Sequence, residues 1–281
     1  MNAPPPLTDR AALSRQRRRA LRAPALFLHE EAAAEVQQRL AEVNRVFTTP
    51  AVVTGFAEFW SGVIAGARVL PDDPVLALDE RAHDLVLHAM ALHWADDPVG
   101  QLVQCLRALR PDGLFLAIFP GGRSLSELRA CLAEAEVETT GGLSPRVLPM
   151  GEIRDLGGLL QRAGFAMPVA DSLRCDVSYA DVWALMRDLR AMGEGNALAA
   201  RHRRPVRPAL FRRLVEIYAS AYPAADGRIR ASYELIALTG WAPAAGQPRP
   251  LRPGSAVARL AEALGTEERH LPDTARPRPQ H

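Results

Sequence analysis

The feature that most constrains this chain is the stretch from Asp84 to Phe119, DLVLHAMALHWADDPVGQLVQCLRALRPDGLFLAIF. Leu85-Val86-Leu87 is an apolar run too short for a helix and suited to a strand buried on both faces. Asp97 offers a side-chain cap, and Pro98 brings the fixed φ that suits a first helical position. Val99, Leu102, Val103, Leu106 and Leu109 then recur at helical spacing and predict one apolar stripe. Pro111-Asp112-Gly113 breaks that helix, and Leu114 to Phe119 reads as a second buried strand. Strand, helix and strand in this order require parallel strands joined by a right-handed crossover. The expected fold class is therefore α/β, with a doubly wound, mostly parallel sheet.

At 281 residues the chain is long enough for one such domain with additions. Its hydrophobic content of 48% supplies a core and argues against general disorder. No apolar run approaches the roughly 18 residues of a membrane span. All 34 basic residues are arginine, which reads as a compositional habit in a chain so rich in alanine and proline. The net charge of +2 selects no partner class. Cys105, Cys131 and Cys175 are dispersed and lack CxxC spacing, which suggests a reducing compartment without a zinc site. The expected location is the bacterial cytoplasm, at most peripheral to the inner membrane.

Residues 1–26 form a basic N-terminal segment with Arg15, Arg17, Arg18, Arg19 and Arg22, read as solvated chain leading into the domain. Residues 27–43 follow as a helix, with Leu28, Ala32, Val36, Leu40 and Val43 on one face. Ala51 to Thr54 reads as a strand ending at Gly55. Phe56, Phe59, Trp60 and Val63 then fall at helical spacing and serve as a packed face.

The phrase "LRPDGLFLAIF" after its helix resembles the later half of a class I S-adenosylmethionine-dependent methyltransferase. "ALHWADDP", "LTDRAALSRQRRRALRA" and "GGLSPRVLPMGEIRDLGGLLQRAGF" narrow the resemblance to the methyltransferase-like assembly factors of respiratory complex I and their bacterial relatives. The resemblance covers nearly the whole chain except residues 50–83, where a methyltransferase holds its cofactor. It implies a GxGxG turn after the first strand, and Gly55 matches the first glycine. Ala57 and Phe59 stand at the second and third positions. The family's acidic residue before the first glycine has no counterpart. "ARVLPDDPVLALDERAHDLVL" resembles the family's third strand and the start of its fourth. Only residues 71–83 lie between Leu70 and Asp84, too few for another crossover, so one early strand is expected to be missing. With that strand would go the acidic residue that the resemblance places at its end to hydrogen-bond the ribose, and losing hydrogen bonds to a charged carboxylate costs about 1.5–3 kcal/mol. A ring where backbone should approach the ligand costs about 1–3 kcal/mol more. Together they weaken cofactor binding by roughly two to four decades. S-adenosylmethionine is thus the cofactor the resemblance implies, with binding weakened or lost.

What survives of the site is read as follows. Asp72 matches the position that pairs with the adenine amino group in relatives. His93 follows the next strand at the carboxyl edge, where α/β ligands bind, and is a candidate general base as well as a cofactor contact. The alternative for His93 and Trp94 is a packed lip to the crevice. Asp96 and Asp97 read as helix caps.

Ser124 and Glu127 form a potential capping box. Gly164 is placed to stop a helix ending near Arg162. Leu173, Cys175, Val177 and Tyr179 alternate as a strand, and residues 182–220 read as a helical insertion or lid before a last strand, Ile229 to Trp241. Arg201, Arg203, Arg204 and Arg207 cluster there without interleaved aromatics, so a nucleic acid is not the expected partner. Residues 27–242 make the domain, and residues 243–281 a Pro- and Arg-rich tail with one short helix at about 255–264 and a disordered end. The expected function is that of a methyltransferase-like pseudoenzyme that binds a client protein, a complex I subunit, during assembly. The alternative is an active S-adenosylmethionine-dependent methyltransferase acting on a protein or carrier-bound carboxyl group.

Overall fold

The computed structural model describes residues 5–247. The chain opens with α1 (Arg10–Ala20) and α2 (Phe27–Val43), then enters the sheet through β1 (Pro50–Thr54). A short α3 (Ala57–Ser61) leads to β2 (Arg68–Leu70), followed by β3 (His83–Ala89), α4 (Pro98–Ala108) and β4 (Leu109–Pro120). α5 (Ser126–Thr140), α6 (Ile153–Ala163) and β5 (Ala166–Tyr179) come next. α7 (Val182–Ala191) and α8 (Pro208–Ala221) intervene before β6 (Ile229–Trp241). Among the described residues no helix is long and apolar enough to cross a membrane.

The six strands lie in the order β2-β1-β3-β4-β6-β5. β1 pairs in parallel with β2 and β3, and β3 with β4, whereas β6 runs antiparallel to both β4 and β5. Strand alternation divides the core into two layers. Leu85, Leu87, Leu114, Leu116 and Ile118 face the side covered by α2, α5, α7 and α8. Val86, Phe115, Ala117 and Phe119 face α4 and α6. Both faces being covered explains why the central strands read as unbroken apolar runs.

The predicted βαβ unit is present. Asp97 caps α4 by accepting from the Gly100 N–H at 2.8 Å. Among the described residues the sheet has six strands and is one short, as expected, and β2 stands directly beside β1, with Val52 opposite Val69. Gly164 ends α6 in the left-handed region at φ 96°.

Four local expectations differ. Pro111-Asp112-Gly113 lies within β4, where the register with β3 shifts and Asp112 takes φ 64°. Ser124 does not cap α5, because its hydroxyl is used across the sheet edge, donating to the Glu234 carbonyl and accepting from the Glu234 N–H. Glu127 accepts instead from Ser232. Asp96 accepts from the Thr8 N–H at 2.8 Å and so anchors the chain ahead of α1 instead of capping a helix. Finally, the basic N-terminal segment is not simply solvated. Ala12, Leu13 and Ala20 of α1 are buried, with Leu13 packed beside Trp94, Leu148 and Leu198. The expected short helix at 255–264 and the rest of the tail beyond residue 247 lie outside the described residues.

Candidate functional site

Three neighbouring strand ends carry the site. β1 ends at Gly55, β2 leads to Asp72, and β3 leads to His93 and Trp94. α1 crosses above the first two and sends Arg17 down between them. A β-carbon added to Gly55 would sit 2.4 Å from the Arg17 guanidinium carbon, so the glycine gives room to an arginine side chain of the same protein. Arg17 Nη1 donates to Asp72 Oδ1 at 2.6 Å, and Arg10 Nη1 to Asp72 Oδ2 at 3.2 Å. Both carboxylate oxygens are therefore engaged. The Arg17 and Asp72 side chains are 8% and 5% exposed. Burial pushes the Asp72 carboxyl up, but the Arg17 and Arg10 guanidinia outweigh it and hold it below the usual range. Nε and Nη2 of Arg17 have no hydrogen-bond partner among the described residues. A cleft of about 330 Å3, bordered by Arg17, Arg18, Gly55, Ala57 and Asp73, opens beside this pair.

Phe56 and Trp60 are buried, as the packed-face reading requires. The Trp60 indole donates to Nδ1 of His29 on α2 at 2.9 Å, fixing α3 to the domain. Burial pushes the imidazole of His29 down to about 4. His88 on β3 is likewise pushed down to about 4 by burial, against its hydrogen bond with Gln101.

His93 does not stand free at the crevice. Its side chain is 3% exposed, its ring stacks on Phe119, and Nε2 lies 3.1 Å from Glu194 Oε2. Trp94 donates its indole N–H to the same oxygen at 2.9 Å. Burial works against ionisation of Glu194, but His93 foremost, with Arg17 and Trp94, keeps its carboxyl below the usual range. Glu194 sits in a Gly193-Glu194-Gly195 turn between α7 and α8 that packs against α1. Gly193 takes φ 76°, and a β-carbon there would lie 3.1 Å from Arg17 Cγ. The sequence pointed to His93, whereas the carboxylate that meets open space is Glu194, 17% exposed.

That open space is a second cavity of about 330 Å3. Leu125, Leu128, Leu148, Met186, Leu189 and Met192 form apolar wall, and Trp94, Tyr233 and Glu194 also line it. Arg19 and Arg190 stand at its exposed margin. Arg146, also at the margin, is tied to Glu136 at 2.6 Å. Of the predicted site residues, Gly55 and Asp72 are thus brought together through Arg17, and His93 belongs to a separate group with Glu194. Arg10, Arg17 and Glu194 were missed, since each reads locally as an ordinary surface charge. Among the described residues no group of three or more His, Cys, Asp or Glu is placed to hold a metal ion.

Comparison with known proteins gives this architecture a lineage. The chain is 34% identical over 220 residues to the arginine-hydroxylase NDUFAF5, mitochondrial, of Danio rerio, covering 78% of this chain and 68% of that protein. It is 36% identical over 190 residues to the malonyl-[acyl-carrier protein] O-methyltransferase of Laribacter hongkongensis, covering 68% and 61%. The YcgJ protein of Bacillus subtilis, a solved structure, aligns with a TM-score of 0.45 at 11% identity, over 71% of this chain and 94% of that one. No family model matches the chain. The match spans between 45% and 68% of the length of the NDUFAF5 relatives. With these sequence relatives and a doubly wound sheet, the chain belongs to the class I S-adenosylmethionine methyltransferase-like family that includes the NDUFAF5 proteins.

Proposed function

We propose that this protein is an assembly or maturation factor for respiratory complex I that binds a client subunit through an arginine side chain. In this reading its ancestral cofactor cleft is closed to S-adenosylmethionine. The observation that carries it is the Arg17 guanidinium lying on Gly55 and holding Asp72. A cofactor entering there must displace the guanidinium and break a buried charged hydrogen bond, at about 1.5–3 kcal/mol. That alone removes one to two decades of affinity. The three-residue β2 and the aromatic α3 add to the loss. The relatives' name, arginine-hydroxylase, supports arginine as the client group, and their family supports the complex I assignment.

Calorimetric titration with S-adenosylmethionine and S-adenosylhomocysteine tests the cleft, and no binding up to millimolar ligand is expected. Micromolar binding would refute the closed-cleft reading. For the assembly role, a strain lacking the gene is expected to hold less assembled complex I. Normal levels, with no complex I subunit retrieved in a pull-down, would refute it.

A second reading has a specific observation behind it. The cavity margin carries Arg19 and Arg190, whose guanidinium groups make no hydrogen bond or ion pair among the described residues, and a relative is a malonyl-[acyl-carrier protein] O-methyltransferase. This reading is an active methyltransferase on a carboxyl substrate. It requires the cofactor binding that the titration tests.

A further inference from the structure

β5 is the last strand of the sheet and carries a free edge. Which of its residues face that edge follows from β6. The Ser232 N–H donates to Glu127 Oε2, and the Ser232 carbonyl accepts from the Leu125 N–H. The Glu234 N–H donates to the Ser124 hydroxyl, and its carbonyl accepts from the Gly121 N–H. Both residues thus turn their backbone groups away from β5, so the ladder with β5 falls on Ala231, Tyr233 and Leu235. Opposite these stand Val177, Cys175 and Leu173. The alternating residues Ser172, Arg174 and Asp176 turn N–H and C=O outward, without a backbone partner among the described residues.

We propose that this edge pairs antiparallel with the same edge of a second copy of the chain, with Cys175 on the twofold axis. A contact between identical surfaces must be complementary to itself, and the charges on β5 meet that condition in one register. The Arg174 and Asp176 side chains are 64% and 47% exposed and lie on the same face. Hydrogen bonding admits only registers that set outward-facing residues opposite each other. With Arg174 or Asp176 on the axis, a charge meets its own copy, which is destabilising. With Leu173 or Val177 there, neither charge faces an opposite one. With Cys175 there, Arg174 of each copy faces Asp176 of the other, and these pairs exchange both backbone hydrogen bonds. On the other face, half-buried Leu173 meets Val177 across the axis and continues the apolar surface beside the two Cys175 side chains. Pro168, which has no N–H, and the register shift between Ala166 and Val169 close the start of the strand to pairing.

Sedimentation of the full chain across the micromolar range is expected to show a reversible shift from monomer to dimer. Arg174→Asp and Asp176→Arg each set like charges opposite one another and weaken the dimer about tenfold, since the axis repeats every reversal. The double variant exchanges the charges and restores it. Should the charge variants fail to fold, Arg174→Pro removes an outward N–H without breaking a bond to β6, and is expected to lose the dimer. Diamide, which takes up the hydrogens of two thiols, reports the register. A non-hydrogen-bonded cross-strand pair sets its Cα atoms about 4.5 Å apart, within disulfide reach. Oxidation should therefore join two copies through Cys175, the cysteine of the three that is not buried, and Cys175→Ser should lose the cross-link but keep the dimer. A monomer at every concentration would leave the edge to a strand of another protein and overturn the proposal. So would dimerisation unchanged in the folded variants, no recovery in the double variant, or a wild-type dimer that diamide does not join through Cys175.

Discussion

Replacing Arg17 with alanine removes the group that both covers Gly55 and neutralises Asp72. The two side chains are 8% and 5% exposed, so this is a buried pair, and the loss of one partner leaves the other charge stranded. Such a loss costs about 3–5 kcal/mol. Arg10 remains on Asp72 Oδ2, which puts the expectation near the lower end, about 3 kcal/mol at pH 7. The pH dependence provides a second check. Asp72 has a lowered pKa in the folded protein, so the stability it contributes is present above its unfolded value and is lost as pH falls through the folded one. In Arg17→Ala burial still pushes the carboxyl up, now with less to oppose it. The gap between wild type and variant should therefore narrow on acidification below about pH 4. Urea unfolding across this range measures both quantities. A difference below about 1 kcal/mol at pH 7, or one unchanged down to the acid limit of folding, would show that the pair contributes little. Arg17 would then be a displaceable side chain and a weak barrier to any ligand.

Two further measurements bear on the same edge of the sheet. Gly55→Ala places a β-carbon where the Arg17 guanidinium lies, and is expected to destabilise by about 1–3 kcal/mol in the wild type but much less in Arg17→Ala. A double-mutant cycle with no coupling would refute that contact. His29 and His88 are both held near 4 by burial, so the unfolded chain binds protons that the folded chain does not between pH 6.5 and about 4. Stability is expected to fall by up to about 1.4 kcal/mol per pH unit for each histidine across that window. His88→Asn should flatten the slope by about one proton, and an unchanged slope would count against its burial in the neutral form.

Much of the scaffold was legible because its determinants are local. The unbroken apolar run Leu85-Val86-Leu87, the Asp97-Pro98 start of α4 and the Gly164 stop of α6 each report conformation within a few residues. The Ser124 capping box failed because a hydroxyl suited to a cap found partners on Glu234, across the sheet edge. The missing strand could be inferred from chain length, since residues 71–83 cannot supply a further crossover.

The sequence by itself determined the α/β class, the central βαβ unit, the shortened strand count and the position of Gly55 at a strand end. These follow from periodicity, turn chemistry and the reach of a chain. Only the tertiary structure decided what approaches Gly55 and which acid faces the cavity. Arg17 lies in an arginine-rich run and Glu194 in a short glycine turn, and neither spacing distinguishes a buried charge from a solvated one. Their roles arise when α1 is clamped between the sheet edge and the insertion, bringing Arg17 to Asp72 and Glu194 to Trp94 across long separations in the chain. Burial in that contact makes each charge consequential, because a charge removed from water must find its partner within the fold.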